Sequence, residues 1–179
     1  MNQNKFHSIG NTLGLVVICA ILILAFADQV YQHDLPCPLC LLQRLGFIAV
    51  GLCLCLNLKK GIHVSHYGLM ILAAILGFCS ALRQISLHTA PGDPGYGHNL
   101  LGIPMYVWSA IIFMTIIGCI AIAMLFEPGF TEKQQRIGRK SIALMSIFLI
   151  LILANGISTL IECGTSVCPG NPLGYRLLS

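Results

Sequence analysis

The chain has 179 residues, of which 56% are hydrophobic and only 9% charged. A soluble domain carries roughly 25% charged residues, so a water-facing surface cannot be built here and the composition describes an all-α integral membrane protein. The net charge of +4 is modest, and no basic cluster with interleaved aromatics marks a nucleic-acid surface.

A membrane helix needs about 20 mostly apolar residues. Five runs meet or approach that length: residues 8–27, 40–58, 67–82, 105–126 and 141–161. They predict a four-helix transmembrane bundle with a fifth transmembrane helix at the C-terminus. All belong to one membrane domain, residues 1–179, whose last stretch, residues 162–179, is a polar tail with two cysteines. Ala25-Phe26-Ala27 before Asp28 resembles a signal-peptidase site. The apolar run before it is longer than a signal core and only Lys5 precedes it, so it is read as a span.

Basic residues orient the spans. If the helices alternate, Lys5, Lys59, Lys60, Lys133, Arg136, Arg139 and Lys140 share one side, against Arg44, Arg83 and Arg176 on the other. The first group is then cytoplasmic. The N-terminus is inside, and the loop around Cys37, the loop over residues 84–103 and the C-terminal tail are outside.

The nine cysteines divide by position. Cys19, Cys53, Cys55, Cys79 and Cys119 lie within spans, where an unpaired cysteine is ordinarily inert packing. Cys37, Cys40, Cys163 and Cys168 all fall on the outer side, where cysteines tend to be oxidised. Pro38 suits the first position of a helix, which makes Cys37 its N-cap and puts Cys40 in its first turn. The partial positive charge of a helix N-terminus favours a thiolate. Arg44 follows Cys40 by four residues, on the same helix face. A cation at that depth is costly in lipid and is a functional candidate by default; the alternative is that it snorkels to the headgroups. Cys163 and Cys168 are spaced for a disulfide if the intervening loop can turn, either as a structural staple or as a second redox pair. A third arrangement joins the four outer cysteines around zinc in a membrane metal-binding or scaffold protein, although an oxidising compartment competes with thiolate ligation.

Cys37-Pro38-Leu39-Cys40-Leu41-Leu42-Gln43-Arg44, opening the second span, resembles the DsbB-type disulfide bond formation proteins of bacterial inner membranes. Tyr31-Gln32-His33, Arg83 followed by His88-Thr89, and Leu101-Gly102-Ile103-Pro104-Met105 are similar to that family as well. The resemblance covers roughly residues 8–126. It implies a quinone-dependent thiol oxidase, with ubiquinone or menaquinone and no metal as its cofactor. It implies a periplasmic DsbA-like thioredoxin-fold partner, with membrane lipid around the spans. Cys40 would act on the quinone, Cys37 would exchange disulfides with a second cysteine pair, Arg44 would hold the quinone, and His88 would lie near its headgroup. Two departures stand out. The family's usual second pair sits between spans three and four, and residues 84–103 contain no cysteine. Its usual form has four spans. The tail pair Cys163 and Cys168 is therefore expected to replace the missing loop pair; otherwise the first pair works alone.

Overall fold

The computed structural model describes residues 3–31, 35–90, 92–93, 95–97, 99–125, 138–164, 168 and 174–177, with the side chains of the first helix from Ile9 onward. Gln32, His33, Pro91, Pro94, Phe126, Lys133, Arg136 and most of the stretch between the tail cysteines lie outside the described residues. In hydrocarbon no water can satisfy backbone N–H and C=O groups, so each span must close its own hydrogen bonds as a helix. The chain does so in α1 (Gln3–Tyr31), α2 (Pro38–Lys60), α3 (Val64–Leu87), α4 (Met105–Leu125) and α5 (Arg139–Cys163). All five are long and apolar enough to cross a membrane.

Two helices run past the apolar stretches seen in the sequence, for the same reason at each end. Polar residues in the added turns are buried with partners. His66 in the first turn of α3 meets Asn57 Oδ1 through its Nδ1 at 2.8 Å, and Asn57 donates to Asn11 Oδ1 at 3.0 Å. At the other end of α3, Gln84 accepts a bond from Gln43. Helix α1 likewise continues through Ala25 and Asp28, and its Gln29 donates to Ser158 Oγ of α5 at 2.8 Å.

Between α3 and α4 lies a small antiparallel hairpin, β1 (Asn99–Leu100) and β2 (Ile103–Pro104). Its two turn residues, Leu101 and Gly102, have φ of 54° and 78°. Two successive positive φ values match the turn to the twist of the strands. Trp108 of α4 donates its indole N–H to Leu100 O at 3.0 Å and ties the hairpin to the helix.

Helix α2 packs against α1 and α3, α3 against α4, and α5 against α1 and α2. Helices in lipid gain nothing from hiding apolar surface, so close backbone approach and side-chain fit decide the packing. Gly46 of α2 and Gly77 of α3 allow that approach, and Phe113 of α4 fills the space beside both. Phe113 stacks on Phe47, with ring centroids 4.1 Å apart and planes 10° apart. Phe148 of α5 fills the space over Gly51 in the same manner. Helices α1 and α4 are not joined by packing of this kind, and a cavity lies between them.

The docking of α5 thus depends on a missing side chain. A Cβ at Gly51 would collide with the Phe148 ring. Gly51→Ala is expected to cost about 1–3 kcal/mol by overpacking, read as a lower thermal unfolding midpoint in detergent. Phe148→Leu in the same chain should recover part of the loss.

Candidate active site

The site begins where α2 begins. Cys37 is the N-cap with extended backbone, and Pro38 follows as the first helical residue. The Cys40 N–H donates to Cys37 Sγ at 3.2 Å, and the Leu41 N–H donates to Cys37 O at 3.0 Å. A proline without an N–H and a side chain that caps the next donors start the helix abruptly. Both sulfurs are thereby brought to its positive end, 2.7 Å apart. The hydrogen bond to the Cys40 sulfur, with burial added, holds the Cys37 thiol well above its ordinary range.

Cys40 faces α3. Gln84 Nε2 donates to Cys40 Sγ at 3.4 Å, and Gln43 Nε2 donates to Gln84 Oε1 at 2.8 Å. Gln84 is 1% exposed. With its oxygen engaged by Gln43, the Gln84 amide turns an N–H toward the sulfur, and a hydrogen bond to a charged acceptor is worth about 1.5–3 kcal/mol. One turn further on, Arg44 faces α1 and α5. Its Nη1 donates to Gln29 Oε1 at 2.8 Å and to Asn155 Oδ1 at 3.4 Å, and its Nη2 donates to Ala25 O at 2.8 Å. All three acceptors are neutral. They engage three of the five guanidinium donors without cancelling its charge.

Cys40, Gln43, Arg44, Phe47 and Gln84 together form the floor of the cavity between α1 and α4. Ile21, Leu24, Ala25 and Asp28 of α1 form one wall, and Met105, Tyr106, Trp108, Ser109 and Ile112 of α4 form the other. The space amounts to about 1000 Å³ including its open side. Tyr96 and Leu100 from the α3–α4 connection border it as well. The Tyr96 hydroxyl donates to Leu35 O at 2.6 Å, which clamps this connection to the approach to Cys37.

His88 is the residue that ends α3, and it does not line the cavity. Its Nδ1 lies 3.1 Å from both carboxylate oxygens of Asp93, and its ring stacks on Tyr106 with centroids 5.7 Å apart. It therefore reaches the cavity through its ring contacts with Tyr106 and Tyr96. The Gly95 N–H, with His88 beside it, holds the Asp93 carboxyl below the usual carboxylate range.

Cys163 and Cys168 are joined in a disulfide. Cys163 is 4% exposed at the end of α5, while Cys168 is half-buried. The tail folds back on α5: the N–H groups of Arg176 and Leu177 donate to Glu162 O and Ile161 O. Gln29, which holds Arg44, also donates to Tyr175 OH at 3.4 Å. A chain of hydrogen bonds thus runs from the α2 cation to the tail. The other cysteines, Cys19, Cys53, Cys55, Cys79 and Cys119, are free. Among the described residues, no group of three or more His, Cys, Asp or Glu side chains could hold a metal ion, so the zinc arrangement finds no ligand set there.

Sequence reading alone missed Gln29, Gln43, Gln84, Asn155 and Glu162. A signal was present, since each is a polar residue within or beside an apolar run. In lipid such residues face the bundle interior, and here all five are buried, the four amides with hydrogen-bond partners. Gln84→Leu would remove the donor at Cys40. Alkylation of Cys40 in the reduced protein at pH 7 is expected to slow by about tenfold, measured by mass spectrometry of the labelled peptide. Gln43→Leu, which frees Gln84 to turn, should slow it less.

The model of the DsbB disulfide bond formation protein family matches residues 8–97. A disulfide bond formation protein B from Azoarcus is 34% identical over 152 residues, covering 77% of this chain and 89% of that protein. Those from Chromobacterium violaceum and Marinobacter nauticus are 40% and 41% identical over 95 and 86 residues. These two matches cover 48% and 45% of this chain, and the chain spans about half the length of either relative, 57% and 51%. No solved structure matches the chain. The chain belongs to the DsbB family of disulfide bond formation proteins.

Proposed function

We propose that this protein is a thiol oxidase of the bacterial inner membrane. It takes two electrons from a periplasmic, DsbA-like thioredoxin-fold dithiol and delivers them to ubiquinone or menaquinone. The N-terminus is cytoplasmic, as the distribution of Lys and Arg favours, and both outer cysteine pairs face the periplasm. The observation that carries this reading is one arrangement: Cys40 and Arg44 share the floor of a cavity between two membrane helices, and Asn155, the α5 residue that accepts from Arg44, lies about two helical turns before the Cys163–Cys168 disulfide.

The cavity suits a quinone. Its walls are mostly apolar, and two of the five guanidinium N–H donors of Arg44, one on Nη2 and that of Nε, are left over after its bonds to Gln29, Asn155 and Ala25. A flat carbonyl acceptor would satisfy them. A quinone bound there supplies a two-electron acceptor that takes up two protons with the electrons. The protein residues do the rest. Arg44 orients the ring and offers a charge that does not titrate. Gln84 and the helix N-terminus favour the thiolate at Cys40, and Cys37 keeps its proton until the pair is re-formed. Ile21, Leu24, Trp108 and Ile112 exclude water, which strengthens each of these electrostatic contacts. Disulfide exchange needs a thiolate attacking a disulfide sulfur. The tail disulfide accepts the electrons of the partner, and the Cys37–Cys40 disulfide re-oxidises the tail.

A second reading is favoured by the burial of Cys163: the tail disulfide is a staple, and the partner is oxidised by Cys37–Cys40 directly. Variants of the purified protein separate the two. Cys40→Ser is expected to abolish quinone reduction, and full activity would reject the assignment. The double variant Cys163→Ser with Cys168→Ser is expected to lose oxidation of the protein partner while dithiothreitol still drives quinone reduction. Unimpaired oxidation of the partner in the double variant would make the tail a staple.

A further inference from the structure

Glu162 stands one residue before the tail disulfide, and nothing above uses it. It is 1% exposed, and neither carboxylate oxygen has a hydrogen-bond partner. Of the buried side chains described, it alone is left with unsatisfied oxygens. Burying a carboxyl without a partner is costly, and a structural role would have supplied a donor. Position points the same way. Glu162 and Cys163 are both enclosed at the end of α5, whereas Cys168 is only half-buried.

Several titratable or charged groups surround Glu162. Arg44 of α2 is the one whose charge acts on it across the bundle, and Asp28 of α1 faces that same arginine. The tail contributes Arg176, whose backbone N–H caps the Glu162 carbonyl, and Tyr175 beside it. Cys163 is the neighbour on its own helix.

We propose that Glu162 is the general acid and base of the tail disulfide, exchanging one proton with the sulfur of Cys163, and that Cys168 is the sulfur open to attack. This rests on the relay reading above and deepens it. An incoming thiolate attacks Cys168 Sγ. A new S–S bond forms there, the Cys163–Cys168 bond breaks, and its electron pair leaves on Cys163 Sγ. Glu162 gives that sulfur its proton, which keeps a bare thiolate from being stranded in a buried site. When Cys163 must in turn attack the Cys37–Cys40 disulfide, the Glu162 carboxylate takes the proton back. No proton is gained or lost over the cycle at this group, and the two electrons come from the incoming dithiol.

Glutathione tests the assignment without any protein partner, on the full chain in lipid nanodiscs. Its single thiol leaves a mixed disulfide that mass spectrometry can locate. The adduct is expected on Cys168. Its rate of formation, corrected for the thiolate fraction of glutathione, should fall as pH rises and one group deprotonates. Glu162→Gln should lower the rate at acid pH by about tenfold to hundredfold, toward the lower range of general acid catalysis, and flatten the profile. An adduct on Cys163, or an unchanged rate and profile in Glu162→Gln, would overturn the proposal. Should that variant not fold, a flat corrected profile in the unaltered protein would overturn it equally. If instead the glutathione results hold while a thioredoxin-fold partner never reduces the tail, the relay falls and Glu162 keeps its assignment.

Discussion

Arg44 carries a permanent charge into a part of the chain built to sit in hydrocarbon, and the upper half of the bundle is arranged around that fact. Such a charge is tolerated when it faces the protein interior or a cavity and finds hydrogen-bond partners there. The acceptors come from α1 and α5, as Gln29, Ala25 and Asn155. Three helices are therefore committed to one side chain. None of the three acceptors is ionised, and the carboxyl groups of Asp28 and Glu162 act on the guanidinium only as further charges around it.

This dependence gives α5 a role that its place at the end of the chain would not suggest. It supplies Asn155 to Arg44, Ser158 to the Gln29 that holds Arg44, and then the disulfide. Phe148 seated over Gly51 anchors it well below those contacts. The helix both completes the cation site and brings a second cysteine pair to the same end of the bundle. In a chain whose α3–α4 connection has no cysteine, one element covers both needs.

The sequence was legible where chemistry repeats a local pattern. Low charge and five apolar runs foretell the spans, and Pro38 between two cysteines foretells a helix start with one sulfur capping it. The partners across helices were not legible. Which glutamine meets which cysteine depends on helix rotation, and α2 carries almost no polar–apolar asymmetry to reveal its rotation. Gln84 and Asn155 lie 40 and more residues from the groups they serve. The apolar run between His66 and Arg83 is short for a span, and α3 adds about a turn at each end, over Val64–Leu87. His88, placed near the site by resemblance, stands behind the cavity wall and meets it through Tyr106 and Tyr96.

The gap between α1 and α4 has one more implication. A molecule that entered this chamber sideways, from the plane of the bilayer, would fill it according to how it partitions among lipids and not its concentration in buffer. Two blockers of equal intrinsic fit would then rank by oiliness. Their measured potency would shift with the amount of lipid in the assay and with acyl-chain order, while the protein itself stayed the same.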